Sequence, residues 1–207
     1  STLEQIKNNL TKLFNDNRIV FDDIETYGTP RRLTFVVKGI SDRQSNLEEE
    51  VKGPSKKIAV DADGNFTKPA LGFIKSKGLK EEDVYFKQVG KDEYIFGTIK
   101  QEGIETSEVL KTILPEAVKA VTFPKAMHWG GKNMRFARPI RWMVTLLNDE
   151  VLEVNLEGIV SSNVTKGHRF LGEKEFTVNS LEDYYEKLEK NYVILDQNKR
   201  KELIKNQ

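Results

Sequence analysis

Residues 123–142 combine cations with aromatic rings and contain no acid, which makes them the stretch best equipped for binding chemistry. This stretch, the basic island, holds both tryptophans of the chain and two of its three methionines. Its cations are Lys125, Lys132, Arg135, Arg138 and Arg141. Arginine pairs bidentately with phosphate and stacks on π faces, and unstacked RNA bases are recognised by such groups. The basic island therefore predicts contact with a polyanion such as RNA.

Two other interpretations of the basic island stay open. In the first, its large apolar side chains form core and its arginines extend to the surface or pair with the many glutamates. Those side chains are Trp129, Phe136, Ile140 and Trp142. In the second, the island is a subunit interface, because aromatic residues and arginine dominate the energetics of such interfaces.

Cations also occur outside the basic island. Arg31 and Arg32 stand where a predicted strand begins, and residues 158–172 form a second acid-free stretch that contains Lys166, His168 and Arg169. A histidine at this position suits either a hydrogen-bond donor or the base of an editing-type hydrolytic site. Since no carboxylate accompanies His168 in its motif, the hydrolytic hypothesis is the weaker of the two.

Composition excludes several classes of protein. The net charge is +1, so any binding of a polyanion must come from local patches rather than from the whole molecule. The chain has no cysteine and only two histidines, which excludes thiolate chemistry and argues against a histidine-rich metal site. No apolar run approaches the ~20 residues of a membrane span, and no signal-peptide pattern is present. We expect a soluble intracellular protein that has no metal site.

The periodicity of apolar residues predicts an α+β fold, with antiparallel β-hairpins and a sheet against packed helices, in two subdomains. Helices are expected at residues 1–14, at 67–77 with Thr67 as cap, from Ser107, and after the caps Ser180 and Asp196. Pro115 either kinks the third helix or starts another. Strands are expected at residues 19–27, 33–40, 84–89, 94–99, 141–147, 151–156 and 176–178, and residues 41–55 are expected to form a polar surface loop or the boundary between two subdomains.

The organisation predicted from these elements has three parts. Residues 1–52 form a helix with a hairpin, residues 53–178 a central α+β domain that carries the basic island, and residues 179–207 two helices. The helical pattern is already under way at Ser1 and still under way at Gln207, so we expect a piece of a longer protein.

Several blocks of sequence resemble the bacterial glycyl-tRNA synthetase beta subunit family, and they occur in that family's order. The most specific are Arg-Phe-Ala-Arg-Pro-Ile-Arg-Trp at residues 135–142 and Gly-His-Arg-Phe-Leu-Gly at residues 167–172. The others are Thr-Pro-Arg-Arg-Leu at 29–33, Glu-Val-Lys-Gly-Pro at 50–54, Ala-Leu-Gly-Phe at 70–73 and Phe-Pro-Lys-Ala-Met-His-Trp-Gly at 123–130.

The resemblance implies an N-terminal fragment of a cytoplasmic alpha2-beta2 ligase, without the HD-like region and the C-terminal anticodon-binding domain. It implies a fold similar to the B3/B4-type module of the phenylalanyl enzyme's beta chain. Glycine activation with ATP and Mg2+ would belong to the alpha subunit, so no catalytic residue, cofactor or metal is expected here. The beta subunit would mainly recognise tRNA(Gly). Our candidates for contact with tRNA or a partner subunit are Arg31, Arg32, Lys125, Arg135, Arg138, Arg141, His168 and Arg169.

Overall fold

The computed structural model describes residues 1–130 and 133–206. Its contacts divide the chain into two compact units, one made of residues 1–44 and 104–207 and the other of residues 45–103. Helices and antiparallel strand pairs occur together, so the predicted α+β class is confirmed. The three-part organisation, with boundaries after residues 52 and 178, stays a prediction.

The regular elements lie in the following order along the chain. The helices are α1 (Thr2–Asp16), α2 (Lys56–Ala59), α3 (Lys68–Ser76), α4 (Thr106–Lys119), α5 (Leu181–Lys190) and α6 (Gln197–Lys205). The longer strands are β1 (Asp23–Thr29), β2 (Arg32–Lys38), β3 (Leu47–Ser55), β4 (Val84–Val89) and β5 (Asp92–Gln101). The two-residue strands are β6 (Met127–His128), β7 (Arg135–Phe136), β8 (Leu146–Leu147), β9 (Glu150–Val151), β10 (Asn155–Leu156), β11 (Ile159–Val160), β12 (Val164–Thr165) and β13 (Phe176–Thr177).

The core of the first unit forms where α1 packs against α4 and the β1–β2 hairpin. Ile6, Leu10 and Phe14 recur at helical spacing and bury one face of α1, as their pattern predicts. A capping box starts this helix, because the Ser1 hydroxyl accepts from the Glu4 amide while the Glu4 carboxylate accepts from the Ser1 amino group. Pro115 lies inside the single helix α4 and starts no second helix.

Two of the candidate arginines, Arg31 and Arg32, lie at the turn of the β1–β2 hairpin. Its last residue pair is Thr29 with Arg32, so Pro30 and Arg31 form a two-residue connection. The Arg31 amide donates to the Thr29 hydroxyl at 3.2 Å, which holds the turn. The hairpin thereby fixes where the backbone of both arginines lies.

Two predicted strands are much shorter than expected. In place of strands at residues 141–147 and 151–156, only β8, β9 and β10 form. The buried Ser161 hydroxyl accepts from the Val154 amide at 2.7 Å and donates to the Leu152 carbonyl at 2.6 Å. The Ser161 side chain thus takes the place of backbone partners that a longer strand pair would supply. The alternation of burial holds, since Leu152, Val154 and Leu156 are buried.

The second unit is a three-stranded antiparallel sheet in the order β3-β5-β4, with α2 and α3 packed on it. The prediction of a polar loop over residues 41–55 is therefore wrong for residues 47–55, which form β3. Glu48, Glu49 and Glu50 are exposed on this strand, so apolar alternation was missing. Glu50 accepts from the Lys87 ammonium at 2.7 Å, and this pair lowers the pKa of the Glu50 carboxyl.

Helix caps agree with the sequence at two of three predicted positions. The Ser180 hydroxyl accepts from the Asp183 amide at 3.0 Å, and the Asp196 carboxylate accepts from the Asn198 amide at 2.7 Å. Thr67 stands at the N-cap of α3 but makes no capping bond. Its hydroxyl donates instead to the Ile58 carbonyl.

Candidate functional site

The aromatic rings of the basic island face inward. Phe136 is buried and meets the Phe123 ring edge to face, with ring centroids 4.6 Å apart. The Trp129 indole nitrogen donates to the Phe136 carbonyl at 2.9 Å, and the indole packs against the core of the first unit together with Ile140. Trp129, Phe136 and Ile140 therefore pack in the core, as the first alternative interpretation predicted, whereas Trp142 is half-buried and outside that core, with the Lys166 ammonium 5.7 Å from its ring centroid.

The cations of the same stretch lie on the surface. Lys125, Arg135, Arg138 and Arg141 are exposed, and within residues 1–130 and 133–206 no carboxylate comes within ion-pair distance of any of them. Lys132 lies outside the described residues. The basic island thus separates into buried rings and exposed charges that no carboxylate neutralises.

The contacts that these exposed cations do make are few and long. An Arg135 guanidinium nitrogen donates to the Ala126 carbonyl at 3.3 Å, and an Arg138 nitrogen donates to the Pro30 carbonyl at 3.5 Å. Arg200 provides a contrast, because it donates three bonds of 2.7–2.9 Å to main-chain carbonyls. Arg200 is well satisfied by these bonds, whereas Arg135 and Arg138 each make one long bond within the part of the chain that the structure describes.

Two clusters of exposed charge follow from these contacts. The bond to Pro30 places Arg138 against the hairpin turn, next to the exposed Arg31. The bond to Ala126 places Arg135 beside Lys125. We call the exposed residues Arg31, Lys125, Arg135, Arg138 and Arg141 the cationic surface.

Arg32 differs from the other candidates because its side chain is directed into the protein. One of its terminal nitrogens donates to the Lys166 carbonyl at 2.6 Å. Its Nε and Nη1 atoms are buried and have no hydrogen-bond partner among the described residues. Burial lowers the pKa of this guanidinium, and the neighbouring Tyr184 hydroxyl opposes the shift. Arg32 joins the hairpin to residue 166, so its placement favours a structural role over contact with a ligand.

Lys166 is a residue that the list of candidates missed. Its carbonyl oxygen accepts a hydrogen bond from Arg32. Its ammonium forms an ion pair with Glu175 at 2.8 Å and lies 5.7 Å from the centroid of the Trp142 ring. It connects the hairpin, the end of the basic island and β12. Its position in the second acid-free stretch was the only sequence signal for it.

His168 and Arg169 lie together on an exposed turn over residues 167–172. The His168 Nδ1 atom accepts from the Phe170 and Leu171 amides at 3.3 and 3.2 Å. With Nδ1 accepting, the neutral ring carries its proton on Nε2, so Nε2 is a donor and not a base. Because no carboxylate of the described residues pairs with this ring, the geometry does not favour the editing-type hydrolytic hypothesis.

Comparison with known proteins assigns the family. The model of the glycyl-tRNA synthetase beta subunit family matches residues 1–207. The chain belongs to this family. A glycine–tRNA ligase beta subunit of Clostridioides difficile is 75% identical over 207 residues. Proteins of the same name from Limosilactobacillus reuteri and Streptococcus thermophilus are 45% and 42% identical over 206 and 204 residues. These alignments cover 99–100% of the chain and 30% of each relative, so the chain spans about a third of their length.

In this member of the glycyl-tRNA synthetase beta subunit family, two pockets among the described residues have volumes of about 130 and 170 Å³, below the roughly 300 Å³ at which small-molecule sites begin. No group of three acidic, histidine or cysteine side chains within residues 1–130 and 133–206 could hold a metal ion. None of the helices in that part of the chain is long and apolar enough to cross a membrane.

Proposed function

We propose that this chain is the N-terminal part of a cytoplasmic glycine–tRNA ligase beta subunit and that its cationic surface contacts tRNA(Gly). The whole enzyme would be an alpha2-beta2 assembly in which the alpha subunit binds ATP and Mg2+ and forms the glycyl adenylate. This chain would supply binding contacts and support assembly, and it would contribute no catalytic residue. One observation carries the proposal: the arginines of the basic island are exposed without carboxylate partners among the described residues, while the Phe136 ring between them is buried.

The chemistry of a guanidinium explains why free arginines favour RNA. An arginine paired with an internal carboxylate gains little from a phosphate, because it would have to exchange one anion for another. A solvated, unpaired guanidinium can form a bidentate bond with phosphate and release condensed counterions at the same time. The bond from Arg138 to the Pro30 carbonyl places it at the hairpin turn that also carries the exposed Arg31.

The small net charge of the chain is compatible with this proposal. Charges separated by more than about 10 Å are largely screened at 0.1 M salt, so an RNA backbone responds to local clusters. Some exposed lysines elsewhere in the first unit are neutralised, for example Lys7 by Asp23 and Lys111 by Glu108. The cationic surface differs because it groups several exposed cations, none of which has a carboxylate partner among the described residues.

Replacement of Arg138 by alanine tests the proposal. We expect affinity for tRNA(Gly) to fall and the slope of log K against log salt concentration to become shallower by about 0.7–0.9, the value for one lost phosphate contact. The measurement is a binding titration at several salt concentrations. The matched control is Lys75→Ala, which removes one exposed and unpaired charge from the second unit. An unchanged slope for a folded Arg138→Ala chain would remove this residue from the RNA contact.

A second function is favoured by Met127, which is 61% exposed within the basic island. An exposed methionine beside arginines is typical of protein interfaces, so the island would then contact the alpha subunit or a second beta subunit. Size-exclusion chromatography of the chain with purified alpha subunit, without RNA, separates the two functions. Co-elution that Arg138→Ala abolishes would favour the interface, whereas co-elution that the variant leaves unchanged would favour RNA contact.

A further inference from the structure

The turn at residues 167–172 presents large apolar side chains to solvent. Phe170 is 81% exposed and Leu171 is 64% exposed. An aromatic ring costs free energy when it is held in water without a partner. The side chains of this turn therefore need a reason other than packing within the described residues.

The exposure does not come from a loose backbone, because the buried Asn191 holds the turn through hydrogen bonds to its main chain and its side chain. The His168 amide donates to the Asn191 carbonyl at 2.8 Å, and the Asn191 side-chain oxygen accepts from the Glu173 amide at 2.7 Å. The turn is closed by bonds from the Gly172 amide to the His168 carbonyl and from the Gly167 amide to the Glu173 carbonyl, both at 3.0 Å. The backbone of the turn is thus held in place before any ligand arrives.

The close approach of Asn191 requires glycine at both positions 167 and 172. A Cβ atom at Gly172 would lie 2.6 Å from the Asn191 carbonyl oxygen, and one at Gly167 would lie 2.8 Å from the Asn191 Cβ. Any side chain at either position would push the turn away from Asn191. The backbone of residues 167–172 therefore packs closely against Asn191 on one side and leaves side chains of the turn exposed on the other.

The displayed groups have the chemistry of a nucleotide site. The Arg169 guanidinium lies 5.4 Å from the centre of the Phe170 ring and has no carboxylate partner in the described part of the chain. His168 keeps Nδ1 on the backbone, which leaves its Nε2 hydrogen available on an exposed ring. No acid stands among residues 167–172; Glu173 and Glu175 follow, and Glu175 is already paired with Lys166.

We propose that residues 167–172 bind one unpaired nucleotide of the tRNA, with its base stacked on Phe170. Arg169 contacts the adjacent phosphate, and the His168 Nε2 hydrogen donates to an acceptor on the base or ribose. This inference rests on the proposed function, since it takes RNA as the ligand. The charges around Phe170 favour RNA over a protein pocket as its partner. Arg169 supplies a cation and His168 a neutral hydrogen-bond donor beside the ring, and unstacked bases bind to such combinations.

The test compares three replacements of Phe170 in the full chain. The probes are a single-stranded RNA that carries 2-aminopurine, an RNA duplex of the same length, and a tRNA(Gly) transcript. Loss of one base stack is worth roughly a 5- to 150-fold loss of affinity. We expect losses in this range for the single strand and the tRNA with Phe170→Ala and Phe170→Leu, and near-normal binding with Phe170→Trp. Duplex binding should change little, and 2-aminopurine fluorescence should be quenched only by chains with a ring at position 170.

The leucine variant and the controls make the outcomes separable. Ile204→Ala removes another exposed apolar side chain, 73% exposed on α6, and should leave all three affinities unchanged. Equal binding by Phe170→Ala and by the unaltered chain would overturn the nucleotide site, even if the arginine variants of the basic island still weaken tRNA binding. Normal RNA binding together with lost co-elution with the alpha subunit would assign the turn to a protein pocket. Failure of the unaltered chain to bind any RNA would overturn both proposals.

Discussion

Joint replacement of Arg135, Arg138 and Arg141 by alanine is expected to lower affinity for tRNA(Gly) roughly 100- to 500-fold at 0.1 M salt. The figure follows from counterion release, which gives about a five- to eightfold gain per phosphate contact at that salt concentration. All three guanidinium groups are exposed, and among the described residues their removal breaks the long bonds to the Ala126 and Pro30 carbonyls. The measurement is a direct titration of labelled tRNA(Gly).

A charge-matched control accompanies the triple arginine variant. Joint replacement of Lys68, Lys75 and Lys77 by alanine removes the same net charge from exposed positions in and just after α3. Because these lysines are outside the cationic surface, we expect a change of less than about threefold, from long-range electrostatics alone. Similar losses in both variants would mean that the chain attracts RNA by general charge and that the basic island is no specific surface.

Replacement of Gly53 by alanine is expected to destabilise the chain by about 1–3 kcal/mol, the usual cost of overpacking a core. A Cβ atom at this position would lie 2.6 Å from Ile95 and 2.8 Å from Phe73, so sheet and helix would have to separate. Ile95 is fully buried and cannot yield without displacing its neighbours. The strand β3 also loses its register between Lys52 and Ser55, where this glycine sits. Denaturant unfolding of the purified chain measures the effect.

Gly72 supplies a matched substitution with the opposite expected sign. It lies on the exposed side of α3, and a Cβ atom there would meet nothing within 4 Å among the described residues. Gly72→Ala should therefore stabilise the chain by about 0.5–1 kcal/mol through helix propensity. Gly53→Ala that unfolds at the same denaturant concentration as Gly72→Ala would contradict the packing of Phe73 and Ile95 described above.

Local sequence patterns predicted those elements of the fold that bury apolar residues at a regular spacing. The spacing of Ile6, Leu10 and Phe14 predicted α1, and the turn residues at 28–30 before a run rich in β-branched residues predicted the β1–β2 hairpin. The strand β3 was missed because Glu48, Glu49 and Glu50 are consecutive and all exposed, so no apolar alternation marks it. It forms by pairing with β5, which follows more than 30 residues later, and such pairing is invisible to a local pattern.

The candidate site was only partly predictable for a related reason. Composition located the basic island but could not tell that Trp129 and Phe136 turn inward while Arg135 and Arg138 turn outward, since that choice is made by the core they pack on. Arg32 stands next to Arg31 in sequence, yet Arg31 lies in the exposed turn whereas Arg32 begins β2 and donates inward to the Lys166 carbonyl. A local pattern did not separate the two, because the acceptor lies 134 residues away.

Protection of arginines from chemical modification tests the central claim most directly, because it requires no substitution. The chain would be treated with phenylglyoxal alone, with tRNA(Gly) and with alpha subunit, and modified arginines would be mapped by mass spectrometry. Arg43, exposed and 3.6 Å from Glu105, serves as an internal control that should react equally in all three samples. Our account predicts that tRNA(Gly) protects Arg135, Arg138 and Arg141. Protection of these three by the alpha subunit alone, or by neither partner, would contradict it.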